Sequence, residues 1–186
     1  MSTRELAEAA GISEAEAEEL IAAAIAAPVA PPPNWRARLL AAVAPAWGAF
    51  VSAFAAQIDL PVEKARELLD RAERAAAWVA GPLPGVSVFH LPSGPACSGA
   101  DVGLVRLGAG VVFPPHRHLG PERVLVLDGS YIDDRGREFR PGDRDERDEG
   151  EPHHFVAGAN GVVFVVVLRE GIAIPTPDGG EIVVRG

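Results

Sequence analysis

The sequence predicts an α+β chain, a small helical bundle at the N-terminus followed by a C-terminal β-barrel. Two observations carry this expectation. Before about residue 82 the chain is rich in Ala, Glu, Arg and Leu with almost no β-branched runs, and its apolar residues recur at helical spacing. After it, Val, Gly and Pro take over, and short apolar runs alternate with turn residues. The boundaries that follow are a helical domain over 1–82 and a strand domain over 83–186.

Residues 3 to 10 form a short amphipathic segment that Gly11 interrupts. Ser13 and Glu16 have the spacing of a capping box, in which hydroxyl and carboxylate satisfy the orphan amides of a helix start. Leu20, Ile21, Ala24 and Ile25 extend that helix until Pro28. Residues 28–33 can form only an extended, polyproline-like connector. Trp35, Leu39, Leu40 and Val43 make the next apolar stripe, broken at Pro45 and continued by Trp47, Phe50, Val51 and Phe54. Asp59, Leu60 and Pro61 read as the start of a last helix, with Val62, Ala65, Leu68, Leu69 and Ala72 on its buried face and its end near Gly81.

Beyond Gly81-Pro-Leu-Pro-Gly85, strand-like runs lie at 86–91, 102–107, 110–113, 122–128, 153–156, 162–168 and 181–184. Turn residues such as Asp133-Asp-Arg-Gly136 and Pro141-Gly-Asp143 separate them. Many short strands with regular turns point to a sandwich or barrel. The runs 122–128 and 161–168 are apolar in both alternation phases, so both faces need cover, from a second sheet, the helical half or another subunit. Tight domain docking or a homo-oligomer is expected.

A formal charge of −9 disfavours phosphate backbones and anionic membranes as partners. The segment from Thr3 to Ser13 resembles the start of a helix-turn-helix, but Glu14-Ala-Glu-Ala-Glu-Glu19 follows, and that acidic surface is repelled by a DNA groove. The apolar stretches are too short to span a bilayer and the N-terminus is unlike a signal peptide, so a cytoplasmic protein is expected. The single cysteine, Cys97, excludes an intrachain disulfide and any multi-thiolate zinc site, and is read as inert.

The chemistry concentrates in one stretch. His116 and His118 are two apart, so on an extended strand both project to one face. Glu122 opens the next strand run, where a turn through Leu119-Gly-Pro121 can return it beside them. Imidazole nitrogens and a carboxylate converging on one face suit a divalent first-row metal. Phe113, Tyr131 and Phe155 are expected in the core or along a pocket, and His90 in a structural role. In the charged run from Asp143 to Glu151, mostly a solvated loop, Asp148 is the candidate acceptor for a liganding imidazole.

Residues 110 to 129, with Gly110, His116, His118, Glu122 and Gly129 in frame, resemble the first motif of the cupins. Pro141-Gly-Asp143 with Gly150 and His153 is similar to the second motif, although Asp148 and Ala157 depart from its usual proline and asparagine. The resemblance implies a jelly-roll cupin in which His116, His118, Glu122 and His153 hold one divalent metal ion. His153 is preferred over His154 by its spacing from Gly150 and because His154 should face away. Zinc is the first choice of metal, with iron, manganese, nickel or copper also compatible with the donor set.

The helical N-terminus, the connector from Ala27 to Pro33 before Arg36-Ala-Arg-Leu-Leu40, and Val124-Leu-Val-Leu-Asp-Gly-Ser-Tyr131 together are similar to the ChrR-type anti-sigma factors. That resemblance implies a helical domain that sequesters a sigma factor and a zinc-binding cupin that takes part in a response to oxidative stress. One feature of that family is missing here. It carries an N-terminal zinc on a histidine and a Cys-x-x-Cys pair, whereas this chain has no histidine before His90 and no cysteine before Cys97. The alternative is a metal-dependent cupin enzyme, oxygenase or isomerase in type, acting on a small-molecule ligand.

Overall fold

In the structure, a computed structural model, residues 3–4, 13–19, 47–74, 78–150 and 152–185 are described. Contacts divide the chain into two units, Met1–Ala42 and Val43–Gly186. In the first, residues 14–19 are helical. The expected capping box is formed: Ser13 N–H donates to Glu16 Oε2 at 2.8 Å and Glu16 N–H to Ser13 Oγ at 3.3 Å. The continuation of that helix to residue 27, the proline connector and the stripe from Trp35 to Val43 lie outside the described residues.

Among its described residues the second unit has two α-helices, α1 (Val51–Ile58) and α2 (Val62–Ala72). Asp59, in the left-handed region at φ 58°, ends α1. On α2 the buried residues Ala65, Leu68, Leu69 and Ala72 follow the expected helical spacing, whereas Val62, expected on the same face, is exposed. The helix stops at Ala72, short of the expected Gly81. Trp78 caps it, its indole N–H donating to the Ala72 carbonyl at 2.7 Å.

Ten strands follow among the described residues: β1 (Val79–Ala80), β2 (Val86–His90), β3 (Ala100–Leu107), β4 (Val112–His118), β5 (Glu122–Asp133), β6 (Glu138–Phe139), β7 (Arg144–Arg147), β8 (His153–Arg169), β9 (Ile172–Pro175) and β10 (Glu181–Val184). Pairing is antiparallel throughout. The strand order is β1-β2-β3-β8-β4-β9-β10, and β5 pairs with β6, β7 and β8. Strand β8 is the hub. Its first part lies between β4 and the end of β5, and its second part between β3 and the start of β5. Gly129 and Gly161 make the crossing of these parts possible: a Cβ on Gly129, at φ 66°, would fall 2.1 Å from the Gly161 carbonyl oxygen.

The strands that are apolar in both phases are covered on both faces. Leu104, Leu125, Leu127, Val163, Val165 and Val167 face outward into one cluster with Trp47, Phe54, Ile58, Leu68 and Leu69. Each such side chain fully buried contributes about 1.5–3 kcal/mol. Val124, Val126, Tyr131, Phe155, Phe164 and Ile172 face inward. The cover is therefore helical, and α1 and α2 belong to the unit that carries the sheet. The expected boundary after residue 82 differs from the division observed between Ala42 and Val43. No helix among the described residues is long and apolar enough to cross a membrane.

Candidate metal centre

Strand β4 aims its histidines by means of a bulge. Phe113 pairs with Phe155 and His116 with His153, so Pro114 and Pro115 together oppose His154 alone. Strict alternation from the inward Phe113 would turn His116 outward. The extra residue restores it to the interior, and His118 follows two positions on. Proline has no N–H to contribute to a ladder and is at home in such an irregularity. On β8 simple alternation suffices: His153 is buried and His154 exposed.

Three imidazoles thus converge, with one ring nitrogen of each of His116, His118 and His153 within 4.8 Å of the others. His118 Nε2 and His153 Nε2 are 2.7 Å apart. Glu122, at the start of β5, brings Oε2 to 3.7 Å from His118 Nε2. His116 Nδ1–H donates to the Pro114 carbonyl at 2.9 Å, which leaves the Nε2 lone pair free to coordinate. The Nδ1 atoms of His118 and His153 are buried without a hydrogen-bond partner.

Burial holds all three rings neutral. It lowers His116 below its ordinary value, His118 to about 4 and His153 to about 3, with Arg147 adding to all three shifts and neighbouring histidines to the last two. Burial, reinforced by Asp145, pushes Glu122 up to about 8. The approach of His118 to Glu122 is therefore not an ion pair in the metal-free chain, since both groups are uncharged at neutral pH. Neutral imidazoles are the form that binds a cation, and a cation among these groups reverses the field that protonates Glu122. The residues present fit a divalent metal ion, and the three histidines could hold one.

Behind Glu122 stands a polar network. Tyr131 O–H donates to Asp145 Oδ2 at 3.0 Å, Arg147 Nε and Nη2 donate to the same oxygen at 3.1 and 3.0 Å, and Arg147 Nη2 reaches Asp133 Oδ2 at 3.4 Å. Burial and the Asp145 carboxylate raise the Tyr131 hydroxyl well above its ordinary range, so it stays a donor. Asp148, the expected acceptor, is exposed, and Asp145 faces the site in its place. The run that reads as a solvated loop contains β7, in which Asp145 and Arg147 turn inward and Arg144 and Glu146 outward. All four residues of β7 are charged, so no hydrophobic alternation marks its inward side chains in the sequence.

The centre opens onto a chamber of about 390 Å³ inside the sheet. His116, Glu122, His153, Tyr131 and Asp145 form its polar end, and Phe113 and Phe155 line it as well as packing the core. His118, fully buried, lies beneath. His90, expected to be structural, and Asp101 line the same chamber. Cys97 is buried, its thiol donating to the Gln57 carbonyl at 3.5 Å.

Known proteins can now be compared. The structure is similar to the acetylacetone dioxygenase of Acinetobacter johnsonii, at 17% identity over 59% of this chain and 78% of that one, with a TM-score of 0.50. A putative acetylacetone dioxygenase from Methylibium petroleiphilum is similar at 18% identity over 59% and 82%, also with a TM-score of 0.50. The complex of Rhodobacter sphaeroides SigE with the anti-sigma ChrR matches at 22% identity over 89% and 83%, with a TM-score of 0.49. No curated protein matches the sequence. At such identities the likeness to the two dioxygenase structures speaks for the cupin β-fold alone. A family model described as the ChrR Cupin-like domain matches residues 70–170. That is more than half of the 186 residues, and the chain belongs to the ChrR Cupin-like domain family.

Proposed function

We propose that this chain is a ChrR-like regulator built on a metal-binding cupin, in which His116, His118, His153 and Glu122 hold one divalent ion and the adjoining chamber admits a small-molecule or oxidative signal. The observation that carries it is the convergence of three neutral, buried imidazoles on one point inside the sheet. Zinc suits three nitrogens and a carboxylate; iron, manganese or nickel would suit them with further positions open to a ligand. A bound ion supplies Lewis acidity and positive charge at that end of the chamber. The protein's own groups do the rest. The Pro114 carbonyl orients the His116 ring, burial keeps the rings unprotonated, and Asp145, held by Tyr131 and Arg147, fixes the wall beside Glu122.

On this reading the N-terminal helical segment engages a sigma factor in the cytoplasm, without the zinc motif of its relatives. Elemental analysis of the purified protein beside His118→Ala tests the centre. About one ion per wild-type chain and a large loss in the variant are expected; equal, negligible metal in both refutes it. Recovery of a sigma factor with the tagged full chain tests the partner.

The chamber favours a second reading, a metal-dependent enzyme of oxygenase or isomerase type, because it brings a substrate-sized space to His116, His153 and Glu122. Dioxygen uptake by the iron-loaded chain, with and without added acetylacetone, would support it, and no uptake above that of His118→Ala would count against it.

A further inference from the structure

Apart from its metal end, the chamber wall is built on two rows of residues that run across the sheet. Val124 on β5 pairs with Val166 on β8, and Val166 with Gly103 on β3. Two residues along the strands, Phe164 pairs with Val105, and Val105 with Val88 on β2. Partners in antiparallel register project to the same face, as do residues two apart on one strand, and all of these line the chamber. Their side chains carry no hydrogen-bond donor or acceptor. Phe113 and Phe155, stacked with ring centroids 5.1 Å apart, line it from β4 and the first part of β8.

The polar groups at the metal end are engaged with one another. Tyr131 O–H and the Arg147 guanidinium both donate to Asp145 Oδ2, and His116 Nδ1–H donates to the Pro114 carbonyl. On the metal-centre reading Glu122 and the three imidazoles are ligands, so the ion is the principal polar attachment open to a guest. Imidazole ligands are neutral, so the ion keeps net positive charge and favours an anionic oxygen. Asp101 is half-buried and His90 exposed, and both keep contact with solvent. The volume of about 390 Å³, at roughly 30 Å³ for each water-sized group, holds on the order of a dozen non-hydrogen atoms.

Resting on the metal-centre reading, we infer that the chamber takes a monocarboxylate with an apolar body, its carboxylate at the ion and its body against the rows of Val124 and Val166 and of Val88, Val105 and Phe164. The wall selects the body by burying it: each methylene taken out of water contributes about 0.8 kcal/mol. It also rejects a second polar group, because a hydroxyl brought against valine and phenylalanine side chains gives up its water and finds no partner. A second carboxylate loses more, since a charge is being desolvated.

The test uses the full chain, reloaded with zinc, and four probes titrated calorimetrically: acetate, octanoate, 8-hydroxyoctanoate and octanedioate. Octanoate is expected to bind at least about a hundredfold more tightly than acetate, which has the head group without the body. It should bind about tenfold more tightly than 8-hydroxyoctanoate, the scale of one hydroxyl left without a partner, and exceed octanedioate by more. Val166→Phe, which fills space between the rows, should weaken octanoate about tenfold and leave acetate within about twofold. Metal content and melting temperature of the variant, measured alongside, separate loss of recognition from loss of fold; the probe series on the unsubstituted chain decides by itself if the variant does not fold. With the metal in place, octanoate no tighter than acetate, or 8-hydroxyoctanoate or octanedioate as tight as octanoate, overturns the inference and leaves the metal-centre reading standing. So does an octanoate affinity that Val166→Phe leaves unchanged in a folded, metal-loaded chain. A chain that takes up no zinc overturns the metal-centre reading, and the inference falls with it.

Discussion

The two faces of β3, β5 and β8 have the same strands and opposite contents. The outer face is Leu104, Leu125, Leu127, Val163, Val165 and Val167, packed under α1 and α2. The inner face mixes aromatics and valines with His153 and Glu122 and borders a chamber of about 390 Å³. One face spends its side chains on stability. The other leaves space and tolerates buried polar groups, which close packing alone would exclude. A single residue's step along the strand passes from the face that stabilises the fold to the face that carries the polar groups.

That contrast can be broken by substitutions on either side, and the largest effect is expected on the outer face. Phe54→Ala removes a side chain with no exposure from the helix–sheet cluster and should cost about 3–5 kcal/mol in denaturant unfolding while leaving one ion per folded chain. Loss of metal at full retention of fold would merge the two faces functionally. His118→Ala should weaken metal binding by about a hundredfold, on the order of 2.7 kcal/mol, read by competition with a chromogenic chelator. Unchanged affinity would remove His118 from the centre.

Acidity should separate the inner groups further. In the metal-free chain His118 and His153 titrate at about 4 and 3, against 6.5 for the ordinary group, so their contribution to stability is whole above pH 6.5 and drains as pH falls towards 4. Glu122 runs the other way: at about 8 against 4.5, its contribution is whole below pH 4.5 and is lost as pH rises through 8. Glu122→Gln should therefore flatten the alkaline fall in melting temperature of the metal-free chain and hold the ion about tenfold less tightly. An unaltered pH profile would show that the carboxyl does not titrate in this way. The smallest effect is expected from Tyr131→Phe, which removes the hydroxyl that donates to Asp145; a loss of about 0.5–1.5 kcal/mol and a few-fold weaker ion are expected. A change in metal affinity as large as that of His118→Ala would place the hydroxyl at the ion itself.

Most of what the sequence made legible was periodic. The spacing of Ala65, Leu68, Leu69 and Ala72, the Ser13–Glu16 box and the valine-rich run of β8 each express a local rule, and each appears in the structure. The strand phase also told His153 from His154, one inward and one outward. What was hidden depends on partners distant in sequence. The bulge at Pro114 and Pro115 exists only relative to β8, so the inward aim of His116 follows from a pairing that no local pattern displays. The helices sit on the strands because the outer valines and leucines need cover, and the sequence shows that need without showing which element meets it. Asp145 and Arg147 were lost in a charged run because burial of a paired acid and base leaves no hydrophobic signal.

The proline pair in β4 has one more consequence. Neither Pro114 nor Pro115 can offer a backbone N–H, so strand β4 has no ladder donor with which to slide into a neighbouring register at that point. The imidazole cluster is accordingly held by covalent restriction as well as by the ion it is suited to grip. An emptied centre should keep its shape, and recapture of a cation should proceed at the pace of ligand encounter rather than of refolding.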